Sequence, residues 1–150
     1  MLSASTHVFS EIFLHFNWHC HLDRSLILPP IEKKLLRFFA EYCDGTKGTL
    51  FLEAGGTETH VHLLVQVEPH LCPADFIGKV KGASSHAVNQ EFGAGALKWQ
   101  RGYGVVSFAG QDLPALRRYV LGQKQHHAKG TTREKLELWG YDEGESAGET

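Results

Sequence analysis

Two histidines separated by one residue, His60 and His62, are the first group whose types and spacing could do chemistry. Val61 and the apolar residues after His62 suggest a strand. Because side chains alternate between the faces of a strand, both imidazoles would point the same way, about 7 Å apart, and could converge on one metal ion. The same spacing also suits a half-exposed strand edge that binds nothing. The pair alone leaves both interpretations open.

Tyr119 and Gln123 form the second group, in a segment whose apolar residues have helical spacing. Residues four apart share one face of a helix, so the phenol and the amide would lie side by side. A tyrosine in such a helix usually fills the core with its hydroxyl at the rim, and a glutamine is usually solvated. Spacing by itself therefore assigns this pair no chemical role.

The His-rich segment of residues 15–21 is a third group, because it contains a second His-x-His pair, His19 and His21, around a cysteine. It could be interpreted as a separate zinc site. The segment lacks a C-x-x-C or H-x-x-x-H partner, so we expect surface histidines at a strand end. His126 and His127 are second choices as metal ligands, since His127 lies one helical turn beyond Gln123.

The elements that must position these groups follow from apolar periodicity and turn residues. Strands are predicted over four segments rich in β-branched and aromatic residues, 11–18, 49–53, 59–67 and 99–108. Helices are predicted over three amphipathic segments, 30–42, 73–92 and 113–128. The order predicts an α+β fold, a ferredoxin-like split βαβ sandwich with an antiparallel sheet and an additional C-terminal helix that carries Tyr119.

Composition limits the class of protein. The 150 residues, 42% of them hydrophobic, suffice for one compact domain. The sequence has neither a basic, apolar leader at residues 1–10 nor an apolar stretch near the roughly 18 residues that a membrane span requires. We therefore expect a cytoplasmic protein. Three widely spaced cysteines without a C-x-x-C motif suggest neither a disulfide framework nor a zinc ribbon.

The small net charge of −2 conceals an uneven distribution along the chain. Residues 70–133 hold nine basic and three acidic side chains, whereas residues 134–150 hold one and six. A basic middle is compatible with a phosphate-binding surface and also with an ordinary solvated face. From these changes in charge along the chain we predict a single domain over residues 1–133 and an acidic, flexible tail over residues 134–150.

Four short motifs in order resemble one known family. They are H-V-H-L-L-V at residues 60–65, K-G-A-S-S at residues 81–85, W-Q-R-G-Y-G at residues 99–104, and the tyrosine segment that continues through residues 122–127. In this combination the chain resembles the single-tyrosine HUH transposases of bacterial insertion sequences, of the insertion-sequence 200/605 type. REP-associated tyrosine transposases are close relatives of that family. The similarity spans roughly residues 11–128.

The resemblance implies an enzyme that cuts and rejoins single-stranded DNA with the help of a metal ion. In it, Tyr119 would be the nucleophile that forms a 5′-phosphotyrosine link and leaves a free 3′-hydroxyl. His60, His62 and Gln123 would be the metal ligands, and the oxygen-rich substrate favours Mg²⁺ or Mn²⁺. Family members work as dimers on hairpins, so we expect a homodimer and a single-stranded DNA partner with hairpin ends.

Basic residues in the middle of the chain are candidates for gripping the DNA backbone, namely Lys79, Lys81, Lys98, Arg101, Arg117, Arg118 and Lys124. Trp99 and Tyr103 could stack on bases or fill the core. Two other classes of protein stay open. One is a non-catalytic regulator, derived from a transposase, that binds single-stranded DNA or RNA hairpins. The other is a metal-responsive regulator that uses the many histidines.

Overall fold

The computed structural model describes residues 7–140, which fold around a four-stranded antiparallel sheet of order β2-β3-β1-β4. The elements are β1 Ile12–His19, α1 Pro29–Asp44, β2 Thr49–Gly56, β3 His60–Val67, α2 Pro73–Phe92, β4 Gly104–Phe108, α3 Leu113–Leu121, α4 Gln123–Lys129 and α5 Glu134–Glu137. This is the predicted α+β split βαβ arrangement, and it is confirmed. None of the helices within these residues is long and apolar enough to cross a membrane.

The two central strands, β1 and β3, divide their side chains between two faces of the sheet. Their register sets His19 opposite His60 and Asn17 opposite His62. Because strand side chains alternate, these four polar residues lie on one face, which we call the site face. The opposite face, the core face, carries the apolar alternates Leu14, Phe16, Trp18, Val61, Leu63, Val65 and Val67.

Helices α1 and α2 cover the core face. The buried residues of α1 recur every four positions and form one cluster with the sheet; they are Ile31, Leu35, Phe39 and Cys43. Trp18 packs edge-on against Phe39 on one side and against Trp99 on the other. Since each large apolar side chain contributes about 1.5–3 kcal/mol when fully buried, this cluster is the main stabiliser of the sheet.

Helices α3 to α5 cover the site face through a smaller apolar cluster that includes Leu64 of β3 and Tyr119 of α3. Helix α3 lies directly on β2, because a Cβ atom at Gly55 would come within 2.3 Å of the Val120 carbonyl oxygen. Only glycine permits this approach. The close contact fixes the height of Tyr119 above the sheet.

Strand β4 is shorter than the predicted strand over residues 99–108, since its ladder begins only at Gly104. Trp99 forms an isolated bridge outside the sheet ladder, and its indole Nε1 donates to Ser84 Oγ at 2.9 Å. Gly102 has a positive φ of 91°, which turns the backbone between Trp99 and Gly104 away from an extended path. The W-Q-R-G-Y-G motif is therefore a buried anchor followed by a strand.

The third predicted helix, over residues 113–128, is two helices in the structure. Gly122 separates α3 from α4 with φ −94° and ψ 18°. The hydrogen bond from Gly122 N to Arg118 O still closes the last turn of α3. Gln123 stays beside Tyr119, and its Nε2 donates to the Tyr119 carbonyl oxygen at 3.2 Å. The two residues are therefore adjacent, as expected, although the helix is interrupted between them.

Residues 134–140, the first part of the predicted flexible tail, pack on the sheet. A Cβ at Gly104 would lie 1.9 Å from the Leu138 carbonyl oxygen, so glycine is required there. Asn17 Nδ2 donates to that carbonyl at 2.8 Å, and Gly140 N donates to Tyr103 O at 3.0 Å. Residues 141–150 lie outside the described residues, and the division into domain and tail stays a prediction.

Candidate active site

Three imidazoles and one carboxylate converge on the site face. His60 and His62 come from β3, His127 from α4 and Glu137 from α5, and one ligand atom of each lies within 4.8 Å of all the others. Glu137 Oε1 is 3.3 Å from His60 Nε2 and 3.0 Å from His127 Nε2. Its second oxygen, Oε2, is 3.3 Å from His62 Nε2. We refer to these four residues as the His–Glu cluster.

The two strand histidines are buried, with 2% of His60 and none of His62 exposed. The other nitrogen of each ring, Nδ1, lies within hydrogen-bond distance of a residue outside the cluster. His60 Nδ1 lies 2.9 Å from Thr57 Oγ1, and His62 Nδ1 lies 2.7 Å from His15 Nε2. Such contacts orient a histidine ring and direct its free nitrogen. A half-exposed strand edge is therefore excluded, and both Nε2 atoms point into the cluster.

His15 is itself fully buried beneath His62. Burial and the neighbouring His62 lower the pKa of His15 to about 3, although Glu137 acts in the opposite direction. The ring is therefore neutral in the folded protein at neutral pH. In the unfolded chain, where this pKa is near 6.5, the ring takes up a proton in mild acid.

The neutral state of His15 predicts that stability falls as the solution is acidified. Below about pH 6.5 His15 is protonated in the unfolded chain but not in the folded protein. This difference alone lowers the free energy of unfolding by about 1.4 kcal/mol for each pH unit of acidification. In metal-free urea titrations, His15→Leu should weaken this dependence between pH 6.5 and pH 5. His86→Leu, at an exposed position on α2, is the control. Equal pH slopes for His15→Leu and the wild type would contradict the assignment.

Tyr119 lies beside the cluster with 2% of its surface exposed. Its hydroxyl donates to Glu137 Oε2 and accepts from Arg133 N at 2.9 Å, and the Arg133 guanidinium lies 5.4 Å above its ring. Burial and the hydrogen bond to Glu137 raise the pKa of Tyr119. In this arrangement the hydroxyl keeps its proton at neutral pH.

Gln123 is fully buried, and its Oε1 lies 3.2 Å from His60 Nε2 and 3.1 Å from His127 Nε2. The structure therefore brings together all four residues for which sequence and resemblance predicted a catalytic or metal-binding role: Tyr119, His60, His62 and Gln123. Of the two second choices, His127 is also in the group, whereas His126 contacts Thr131 Oγ1 at 2.8 Å and is not a member of the cluster.

Glu137 was missed because it falls in the segment predicted to be an acidic, flexible tail. Burial raises the pKa of its carboxyl, but the close imidazoles of His60 and His62 and the hydrogen bond from Tyr119 outweigh that effect and hold the pKa well below its usual range. The group is therefore charged. The signal that could have found it is the pattern of apolar neighbours, since Leu136 and Trp139 are unusual in a solvated tail.

The donor set fits a divalent metal ion. His62 Nε2 is buried and has no hydrogen-bond partner, although a carboxylate oxygen of Glu137 lies 3.3 Å away. An unpaired buried polar atom is costly in a folded protein. Imidazole nitrogens and a carboxylate oxygen aimed at one point are the ligands that divalent first-row metal ions take in proteins.

The His-rich segment of residues 15–21 is neither a separate zinc site nor a row of surface histidines. His19 stacks on His60 with ring centroids 4.7 Å apart, and His21 is buried rather than on the surface. Within residues 7–140, the His–Glu cluster is the only group of three or more His, Cys, Asp or Glu side chains with ligand spacing. A zinc site in this segment therefore finds no support there.

The predicted DNA contacts differ in their surroundings. Six are exposed side chains: Lys79, Lys98, Arg101, Arg117, Arg118 and Lys124. Lys81 is partly buried and donates to the carbonyl oxygens of Gln100 and Gly102 at 2.7 and 2.9 Å, which ties α2 to the segment before β4. Lys124 pairs with Glu32 at 2.8 Å. A DNA-binding role for the seven stays a prediction, while Trp99 belongs to the core.

A groove of about 340 Å³ opens beside the cluster. It is lined by Ser25, Thr57, Glu58, Thr59, Lys124 and His127. Thr57 contacts His60 from this side, and His127 belongs to the cluster itself. The groove therefore reaches the cluster at His127, its most exposed member.

Comparison with known proteins identifies the family of this chain. The family model described as "Transposase IS200 like" matches residues 8–123. The transposases for insertion sequence element IS200 of Salmonella typhimurium (strain LT2) and Salmonella typhi are each 29% identical to this chain over 90 residues. Each match covers 56% of this chain and 59% of the relative, so the chain spans less than two thirds of the curated relatives' length.

Two solved structures share the fold. A protein from Deinococcus radiodurans R1 described as a transposase has a TM-score of 0.61 at 18% identity, covering 79% of this chain and 95% of its own. A REP-associated tyrosine transposase bound to a REP hairpin has a TM-score of 0.59 at 13% identity, covering 87% and 76%. The family match takes in His60, His62, Tyr119 and Gln123. This chain belongs to the IS200-like family of transposases, the single-tyrosine HUH family that its motifs resemble.

Proposed function

We propose that this protein is a transposase that cleaves and rejoins single-stranded DNA through a 5′-phosphotyrosine intermediate and so moves an insertion sequence. The observation that carries the proposal is the Tyr119 hydroxyl, which lies beside the His–Glu cluster in a chain of the IS200-like family. A phenol beside potential metal ligands suits phosphoryl transfer, because a hydroxyl with a pKa near 10 needs help to attack at neutral pH.

In the proposed reaction the Tyr119 oxygen forms a bond to phosphorus while the bond from phosphorus to the 3′-oxygen breaks. The phenol gives up its proton as it attacks, and the leaving 3′-oxygen takes up one proton and becomes a free 3′-hydroxyl, so the protons balance. His60, His62 and Gln123 would hold Mg²⁺ or Mn²⁺, which supplies charge neutralisation at the phosphate and favours the phenolate. One phosphodiester replaces another, so a second 3′-hydroxyl can reverse the attack and join new ends without ATP.

The nucleophile is closed off in the described arrangement. Arg133 N and Glu137 occupy both hydrogen-bonding directions of the Tyr119 hydroxyl. A phosphodiester can reach that oxygen only after Glu137 or Arg133 moves from it. Because a reacting phosphorus must come within about 3–3.5 Å of that oxygen, at least one of these two contacts has to open before DNA is cleaved.

The proposed substrate is single-stranded DNA with hairpin ends, handled in the cytoplasm. One structural neighbour is a tyrosine transposase bound to a REP hairpin, which supports a hairpin ligand for this chain as well. The homodimer expected from the family resemblance stays a prediction. His60, His62, Tyr119 and Gln123 meet here within one chain, so the described arrangement needs no residue from a second copy.

The proposal is tested by incubating the protein and Mn²⁺ with a labelled single-stranded oligonucleotide taken from the imperfect palindromes that flank the gene. We expect a covalent protein–DNA adduct on Tyr119. Direct attack by the phenol expels the 3′-oxygen, so the adduct must carry the downstream fragment through its 5′-phosphate. The upstream fragment must end in an unmodified 3′-hydroxyl.

The same incubation separates the competing functions. A hairpin-binding regulator would bind the oligonucleotide and leave it intact, and a metal-responsive regulator would bind Mn²⁺ without cutting DNA. Cleavage without an adduct would indicate a metal-activated water and would contradict the phosphotyrosine route. Duplex DNA of the same sequence serves as the control and should be a poor substrate, because the hairpin and the cut strand must both be free.

A further inference from the structure

We propose that Glu137 is a direct ligand of the divalent ion at this site, so that a carboxylate from the C-terminal segment completes the set begun by His60 and His62. The inference rests on the metal site of the proposed function, but it is independent of attack by Tyr119. Glu137 lies outside residues 8–123, the part of the chain that the family model matches. The ligand is therefore assigned from this chain's own geometry.

The distances suit direct coordination. Both carboxylate oxygens of Glu137 are used, with Oε1 toward His60 and His127 and Oε2 toward His62. Ligand atoms bound about 2.0–2.2 Å from one ion lie roughly 3–4 Å from each other. The atoms of the His–Glu cluster are all within 4.8 Å of one another, so small side-chain rotations bring them onto a common ion.

The contacts of the two His62 ring nitrogens indicate that a cation fits between this histidine and the carboxylate of Glu137. His62 Nδ1 is engaged with His15, while its fully buried Nε2 has no hydrogen-bond partner and faces Glu137 Oε2 at 3.3 Å. A cation between Nε2 and the carboxylate would be coordinated by both and would give this buried nitrogen the partner it lacks.

The charge of Glu137 points in the same direction. Its side chain is 17% exposed, and its contacts are with His60, His62, His127 and the Tyr119 hydroxyl. None of these groups carries a permanent positive charge. A largely buried carboxylate without a fixed cationic partner is costly, and a divalent ion supplies the missing charge.

The carboxylate is also held in place from both sides. Leu136 before it is buried under α3, and the carbonyl of Leu138 after it accepts the hydrogen bond from Asn17. Trp139 then stacks on His19 with centroids 4.8 Å apart. A side chain anchored in this way is a pre-organised ligand rather than part of a loose tail.

The test measures Mn²⁺ binding to the full chain without DNA, by counting free Mn²⁺ from its electron paramagnetic resonance signal. Glu137→Gln keeps the shape of the side chain and removes its charge, whereas Glu134→Gln, at an exposed position in the same helix, is the matched control. We expect Glu137→Gln to bind Mn²⁺ at least about 10–100-fold more weakly. Glu134→Gln should bind like the wild type.

The melting temperature is a second measurement, and it distinguishes the loss of a ligand from a folding defect. Without metal, the wild type, Glu134→Gln and Glu137→Gln should all melt cooperatively. Mn²⁺ should raise the melting temperatures of the wild type and of Glu134→Gln, and it should raise the melting temperature of Glu137→Gln much less. Unchanged Mn²⁺ affinity in Glu137→Gln, with a loss in Gln123→Ala, would overturn the inference and leave the proposed function intact. A wild type that binds no Mn²⁺ would overturn the metal site altogether. Tight binding that depends on Glu137, without any DNA adduct, would refute only the tyrosine chemistry.

Discussion

Tyr119→Phe is expected to abolish the covalent adduct and to slow DNA cleavage by at least about a thousandfold. The substitution removes one oxygen, and that oxygen is the proposed nucleophile. The ring would stay packed beside His62 and His126, whose centroids lie 6.0 and 4.7 Å from it. The measurement is the yield of adduct and of free 3′-hydroxyl ends from a labelled single-stranded hairpin substrate.

The fold should survive this change with a modest loss of stability. Phenylalanine leaves Glu137 without its phenolic donor, and a hydrogen bond to a charged group contributes about 1.5–3 kcal/mol. Urea unfolding should show a loss within that range, and the hairpin affinity should be little changed. Normal cleavage by Tyr119→Phe would refute the assignment, as would peptide mapping that places the DNA on Tyr42, Tyr103 or Tyr141.

His62→Ala is expected to abolish Mn²⁺-dependent cleavage and to lower Mn²⁺ affinity at least about a hundredfold. A lost ligand removes several kcal/mol of charge stabilisation at the reacting phosphate, and each 1.4 kcal/mol is about tenfold in rate. Hairpin affinity should largely remain, because phosphate contacts elsewhere on the surface dominate it. Cleavage rates across a Mn²⁺ titration, with filter binding of the hairpin, measure both effects.

Gln66→Ala is the matched control for this variant. Gln66 lies on the same face of the same strand, four residues beyond His62, and forms no part of the cluster. It should cleave and bind Mn²⁺ like the wild type. Full activity in His62→Ala would remove His62 from the site. Loss of activity in both variants would mean that disturbing β3 is sufficient and that the ligand assignment is unsupported.

Local patterns predicted the parts of the fold that local chemistry fixes. Helix α2 begins at Pro73 and ends at Phe92 as predicted, because a proline at its start and a glycine after its end act within a few residues. The shared face of His60 and His62 followed from strand alternation alone. Their burial did not, since it depends on α3 to α5 covering a face that could equally have been open.

Parts of the site that depend on distant contacts escaped prediction. Glu137 reaches the cluster because Gly104, more than thirty residues earlier in the sequence, leaves room for the Leu138 carbonyl. Lys81 looked like a DNA contact by charge, yet its ammonium group binds two backbone carbonyls. A sequence records that a lysine is charged, but not whether its partner is a phosphate or the protein itself.

The division of β1 and β3 into a core face and a site face also governs how this protein can evolve. Residues of the two roles alternate one by one along each strand, as in Phe16, Asn17 and Trp18. A point substitution can alter one face and leave the other unchanged. Deleting or inserting a single codon within β3 would turn both faces over and lose core and chemistry together. Lineages of this chain should therefore accept point substitutions in these strands more readily than changes in strand length.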